Sequence, residues 1–208
     1  MPTILVATAN PGKLREYRDL FEGVPGVRVV SPGDIEIWVE VAETGETLAD
    51  NALLKARALR DALPPEALAQ GWWVLGDDSG LEVDAMGGAP GVHSNRWAGP
   101  NTTAQGRNIM LLERLQGVPD EERTARFRCV IALISPTGEE HLVDGTCEGR
   151  IAHEPVGSGG FGYDPLFELP NGLRMAQLSP DVKNALSHRG IAGAKAAQIV
   201  AAATTAHA

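Results

Sequence analysis

A chain of 208 residues is long enough to bury a sizeable core and short enough to fold as one domain. Hydrophobic residues at 43% and charged residues at 22% exclude a disordered or fibrous polypeptide. The 18 basic and 27 acidic side chains give 18 − 27 = −9 formal charges, which argues against nucleic-acid partners but leaves room for a small anion escorted by cations.

Thr3 to Thr8 is a short apolar run that reads as a buried strand, and Leu14, Tyr17, Leu20 and Phe21 then recur at helical spacing. Val27 to Val30 reads as a second strand, with a turn over Ser31-Pro32-Gly33-Asp34. Thr47 and Asp50 have capping-box spacing at the start of a helix whose apolar face is Leu48, Ala52, Ala56, Leu59 and Leu63. Asn51 and Lys55, four apart, share another face of it. Pro64-Pro65 ends that helix, and Trp72 to Leu75 forms a strand running into Gly76-Asp77-Asp78-Ser79-Gly80. Leu81 to Val83 continues the sheet, and Met86 to Gly91 is a loop.

A capped helix is predicted over Thr102 to Leu115, with Thr102 as its cap. Thr124 to Ser135 and Glu140 to Ile151 form a long hairpin, and Pro155 to Pro165 a glycine-rich loop. A last helical region begins at Ser179, with Pro180 at its first position, and resumes after Gly190. Cys129 and Cys147 fall in strands without metal-ligand spacing and read as buried thiols. The N-terminal run lacks a basic leader, and no stretch approaches the ~20 apolar residues of a membrane helix. The expectation is a cytoplasmic protein with no membrane partner.

Four stretches can carry chemistry. In Thr8-Ala9-Asn10-Pro11-Gly12-Lys13, Asn10 as cap and Pro11 as first helical residue would leave first-turn amides pointing at an anion, with the Lys13 charge beside them. Gly157 to Gly162 satisfies GxGxxG, but Pro165 argues against the helix that a dinucleotide site of a dehydrogenase requires. Glu43 with one of Asp77 and Asp78 would suffice for magnesium, which takes one or two carboxylates; successive strand residues point to opposite faces, so the aspartate pair cannot share one site. Lys183 to Gly190 gathers Lys183, His188 and Arg189 within seven positions.

Together these stretches resemble the inosine triphosphate pyrophosphatase family, hydrolases of inosine, deoxyinosine and xanthosine triphosphates. The matching runs, in the family's order, are Ala7 to Lys13, Glu43-Thr44-Gly45 with Asn51-Ala52, Asp77 to Leu81, Gly87 to Gly91, Gly159 to Pro165 and Ser187 to Gly190. The resemblance implies a single α/β domain over residues 1–208, an elongated two-lobed mixed-sheet fold with flanking helices and the nucleotide in a cleft between the lobes. It also implies a homodimer, a purine nucleoside triphosphate as substrate, and Mg2+ as cofactor. Thr8, Ala9, Asn10, Pro11, Gly12 and Lys13 would face phosphate. Glu43 and Asp78 would hold the metal, and Asp78 would also accept the proton. Ser79, Phe161, Gly162, Tyr163, Asp164, Lys183, His188 and Arg189 would complete the nucleotide site, with Phe161 stacking on the base and His188 or Arg189 donating to a 6-keto oxygen. The intact Glu43 and Asp78 argue against a catalytically silent nucleotide sensor. Gly76, His93 and Asn95 depart from the family's usual Ala, aromatic and Ala, which bears on substrate preference rather than on reaction class.

Overall fold

The computed structural model describes residues 2–205. Strand β1 (Thr3–Val6) is buried throughout and stops two residues short of Thr8, whose amide donates back to Val6 O. Helix α1 (Pro11–Glu22) follows with Asn10 as cap and Pro11 at its first position, burying Tyr17 and Phe21. Strand β2 (Arg28–Val30) leads into a 3-10 turn over Pro32–Ile35 capped by Ser31. The Thr47/Asp50 capping box starts helix α2 (Leu48–Ala62), and the expected apolar face is buried. The double proline that ends α2 also opens a short helix α3 (Pro65–Ala69), where Pro65 is preorganised for the first turn. Five residues are too few for helical periodicity to show in the sequence.

Strand β3 (Trp73–Val83) is one continuous strand of 11 residues, so the aspartate pair lies mid-strand rather than at a strand end. Strand β4 (Pro90–Gly91) pairs antiparallel with β3 inside the stretch expected to be loop. Helix α4 (Ala104–Arg114) is capped by Thr103, not Thr102: Thr103 Oγ1 accepts from the Gly106 amide, whereas Thr102 Oγ1 donates back to Ala98 O and Gly99 O. Strands β5 (Thr124–Ile134) and β6 (Glu140–Ile151) are the expected hairpin, and β7 (Phe167–Glu168), too short to see in sequence, pairs with β6. Helix α5 (Pro180–Leu186) begins after Ser179, and α6 (His188–Thr205) starts at His188, so that Gly190 lies inside it rather than before it.

The strands form a seven-stranded mixed sheet in the order β2-β1-β3-β5-β6-β7, with β4 on β3; β1 runs parallel to both its neighbours. The chain divides into two compact units. The first comprises residues 1–78, 129–145 and 189–208, the second 79–128 and 146–188. The first is built on Ile4, Val6, Tyr17, Phe21, Trp73, Leu75, Cys129, Ile131, Leu133 and the Ala192–Ala196–Val200 face of α6. The second packs Leu81, Val83, Leu111, Leu115, Phe127, Ile151, Tyr163, Phe167 and Met175. Both cysteines are buried and unbridged, and burial pushes the Cys147 thiol up to about 11. Among the described residues no helix is long and apolar enough to cross a membrane.

Candidate functional site

In the first unit, Asp77 and Asp78 sit on consecutive positions of β3 and serve different neighbours, as strand alternation requires. The Asp78 carboxylate accepts from Lys55 Nζ at 2.8 Å and from Asn51 Nδ2 at 3.2 Å. Lys55 Nζ also lies 2.6 Å from Glu43 Oε1 and donates to Asp77 O at 3.1 Å. Two carboxylates, 35 positions apart in the chain, thus converge on one cation. Helical spacing alone places Asn51 and Lys55 on one face but assigns neither a role. Asn51 links the cluster: its Oδ1 accepts the Gly45 amide at 2.8 Å, which ties the loop carrying Glu43 to α2. Burial raises the Asp78 carboxyl above its ordinary value even against the pull of Lys55. Burial lowers the Lys55 ammonium, but Asp78 and Glu43 more than reverse this.

The close approach of α2 to β3 depends on Gly76. A Cβ there would meet Ala52 O and lie 2.7 Å from the Ala56 amide nitrogen. Gly76→Ala is therefore expected to cost about 1–3 kcal/mol, the usual range for overpacking, read as a lower melting temperature. A melting temperature equal to wild type would show that α2 gives way without strain.

Asp77, 2% exposed, is the centre of a separate buried network. Its Oδ1 is ion-paired with Lys13 Nζ, and its Oδ2 accepts from Arg189 Nε at 3.0 Å and lies 3.5 Å from Cys129 Sγ. Arg189 is 1% exposed and its Nη1 donates to Glu16 at 2.8 Å. Burial alone would raise the Asp77 carboxyl, but Lys13 and Arg189 hold it well below the usual carboxylate range. Arg189 Nε and Nη1 thus engage Asp77 and Glu16 inside the first unit. Lys13 is likewise buried against Asp77, although its position beside the α1 N-terminus is as expected.

The N-terminus of α1 also differs from expectation in detail. Asn10 Oδ1 accepts from the Gly12 and Lys13 amides at 2.8 and 3.3 Å, Leu14 N donates to Asn10 O, and Pro11 has no N–H. The first turn is satisfied by its own cap, so what it offers an anion is the helix dipole and the Thr8 and Asn10 side chains, not unsatisfied amides. Thr8 Oγ1 accepts from the Asn10 amide at 3.1 Å, and Ala9, Asn10 and Pro11 are exposed.

In the second unit, Asp164 Oδ2 accepts from the Phe161 amide at 2.8 Å and from Lys183 Nζ at 2.7 Å. The same ammonium lies 4.7 Å from the Phe161 ring centroid, a cation–π distance. Gly160, at φ +69°, carries the turn; a Cβ there would run into the Asp164 carboxylate. The next element after this glycine-rich run is strand β7 rather than a helix, which disposes of the dinucleotide reading. Asn108 Nδ2 donates to Gly162 O at 3.2 Å. Tyr163 Oη donates to Ser94 O at 2.7 Å and accepts from Trp97 Nε1 at 2.5 Å, fixing the loop from its buried side. The His188 ring, also buried, stacks on Phe127 with centroids 4.7 Å apart. Ser79 is half-buried in β3.

Among the described residues no group of three or more His, Cys, Asp or Glu side chains is placed to hold a metal unaided. The Glu43–Asp78 pair nevertheless fits magnesium, because two oxygens already converge on a cation and Mg2+ draws its other ligands from water and substrate phosphates.

The Ham1 family model matches residues 4–199. A dITP/XTP pyrophosphatase of Desulforamulus reducens is 48% identical over 198 residues, covering 95% of this chain and 94% of that one. Another, of Geobacillus kaustophilus, is 50% identical over 191 residues, covering 91% and 89%. A HAM1 protein from Coxiella burnetii, a solved structure, aligns with a TM-score of 0.81 at 36% identity over 96% of this chain and 98% of the other. With a family model that spans nearly the whole sequence and relatives this similar over nearly their full length, the chain belongs to the Ham1 family.

Proposed function

We propose that this protein hydrolyses non-standard purine nucleoside triphosphates (ITP, dITP and XTP) to the nucleoside monophosphate and pyrophosphate, removing them from the nucleotide pool. The observation that carries the reading is near-full-length identity of 48–50% to relatives named dITP/XTP pyrophosphatase. The convergence of Glu43 and Asp78 on one cation supports it, since such a pair serves a divalent ion and a water together.

In this reading the protein works as a cytoplasmic homodimer with Mg2+, held by Glu43 and Asp78. The metal would supply charge neutralisation of the phosphates and a more acidic water. Asp78 accepts the proton of the attacking water. Asn51 fixes the rotamer of Asp78 and the loop of Glu43 at once. Thr8, Asn10 and the α1 dipole attract phosphate, with Ala9, Pro11 and Gly12 lining the turn that phosphate approaches and Lys13 as a charge that phosphate can draw from Asp77. In the second unit, Ser79 and the Phe161 to Asp164 run contact the nucleoside, with Phe161 held for stacking by Asp164 and Lys183. Donors from His188 or Arg189 suit a 6-keto oxygen and not the 6-amino group of adenine. Arg189 contributes by fixing Asp77.

The reaction is tested by its first product. Incubation with ITP and Mg2+ is expected to release pyrophosphate and inosine monophosphate in equal amounts; inosine diphosphate and phosphate as initial products would refute the assignment.

The stacking role of Phe161 has its own test. Stacking on an aromatic ring is worth ~1–3 kcal/mol per base and is blind to base identity. Phe161→Leu is therefore expected to raise KM for ITP roughly 5–150-fold while leaving the ratio of kcat/KM for ITP over ATP near wild type. A collapse of that ratio with an unchanged KM would mean that the ring reads the base rather than supporting it.

A further inference from the structure

Lys55 sits at the centre of this cluster. Its ammonium has three donors, and three acceptors take them: Glu43 Oε1 at 2.6 Å, Asp78 Oδ1 at 2.8 Å and Asp77 O at 3.1 Å. The side chain is largely buried against a carboxylate more buried still. Such a cation is fixed in place, unlike the mobile partner of an exposed ion pair.

From this geometry we infer that Lys55 gates the metal position: a divalent ion and the Lys55 ammonium compete for the same two carboxylates, so the ion enters with the triphosphate rather than ahead of it. The inference rests on the reading of Glu43 and Asp78 as the metal carboxylates. A bare ion must evict a buried ammonium and leave it without an anion. An ion that arrives with a triphosphate brings the anion with it, because the displaced ammonium turns to phosphate oxygens. Metal and nucleotide then favour each other's binding, and the coupling is reciprocal. Lys55 is in this sense a positioning residue twice over, first for the two carboxylates and then for phosphate.

The test reads metal binding, not turnover. Mn2+ binding to the full chain without nucleotide is followed by the paramagnetic resonance signal of the unbound ion in wild type, Lys55→Met, Lys55→Gln, and each of these combined with Glu43→Gln. Circular dichroism checks the fold, and Lys55→Gln retains a hydrogen-bond donor should Lys55→Met fail to fold. Both Lys55 variants are expected to bind Mn2+ at least about tenfold more tightly than wild type, since a like charge at contact distance is removed. Adding Glu43→Gln is expected to abolish that gain. A triphosphate analogue that resists hydrolysis is expected to tighten Mn2+ binding more in wild type than in the Lys55 variants. Equal Mn2+ affinity in wild type and both Lys55 variants overturns the gate, and loss of Mn2+ binding in Glu43→Gln alone would then still place the metal at the carboxylates. If Glu43→Gln changes Mn2+ binding in no background, it is the metal reading itself that fails.

Discussion

Asp78→Asn is expected to leave a folded protein that binds nucleotide and hydrolyses it ~10²–10⁴-fold more slowly, the usual loss when a general base is removed. The substitution is nearly isosteric, and Lys55 keeps Glu43 and Asp77 O as acceptors, so no cation in the cluster is stranded. The amide can neither take a proton from water nor share negative charge with an ion, so the loss falls on kcat. Pyrophosphate release measures the first quantity. Binding of a non-hydrolysable analogue and the melting temperature measure the others. Turnover near wild type in the purified variant would remove Asp78 from the chemistry.

Asp77→Ala is expected to act on stability instead, and strongly. It leaves Lys13 and Arg189 buried without the carboxylate that both of them contact. Breaking a buried pair from one side costs about 3–5 kcal/mol. At roughly 2–4 °C per kcal/mol for a chain of this size, the melting temperature should fall by about 6–20 °C. The pH dependence gives a second check. The folded carboxyl of Asp77 lies well below its unfolded value, so its stabilisation is fully present above that unfolded value and is lost as pH falls towards the folded one. The gap between wild type and Asp77→Ala should thus be constant near neutrality and narrow below about pH 4, the ordinary aspartate range. A gap that widens on acidification would contradict the assignment of Asp77 as an ionised anchor.

The adjacent aspartates show how far the sequence carries. That they serve different neighbours follows from strand alternation alone, and the Thr47/Asp50 box, the Asn10 cap and the long hairpin are equally local signals. What stayed hidden is non-local. Nothing in the sequence near Asp77 reveals that Arg189, 112 positions away, is its partner. A cation run such as Lys183 to Arg189 reads as one basic patch, yet the structure divides it, with Lys183 on Asp164 and Arg189 on Asp77. That β3 runs unbroken and buried through two acidic residues is non-local in the same way, because the cations that make their burial tolerable come from α1, α2 and α6. Strands of two residues, β4 and β7, are too short for periodicity to register.

The two compact units carry a consequence for the gene. The backbone passes from one to the other after residues 78, 128, 145 and 188, three times inside a strand and once within the first turn of α6. Two of these crossings fall within the Asp77–Gly80 and Ser187–Gly190 runs. Neither unit is encoded by a single uninterrupted stretch of codons, so neither can be truncated away, duplicated or traded for a foreign module by one cut in the reading frame.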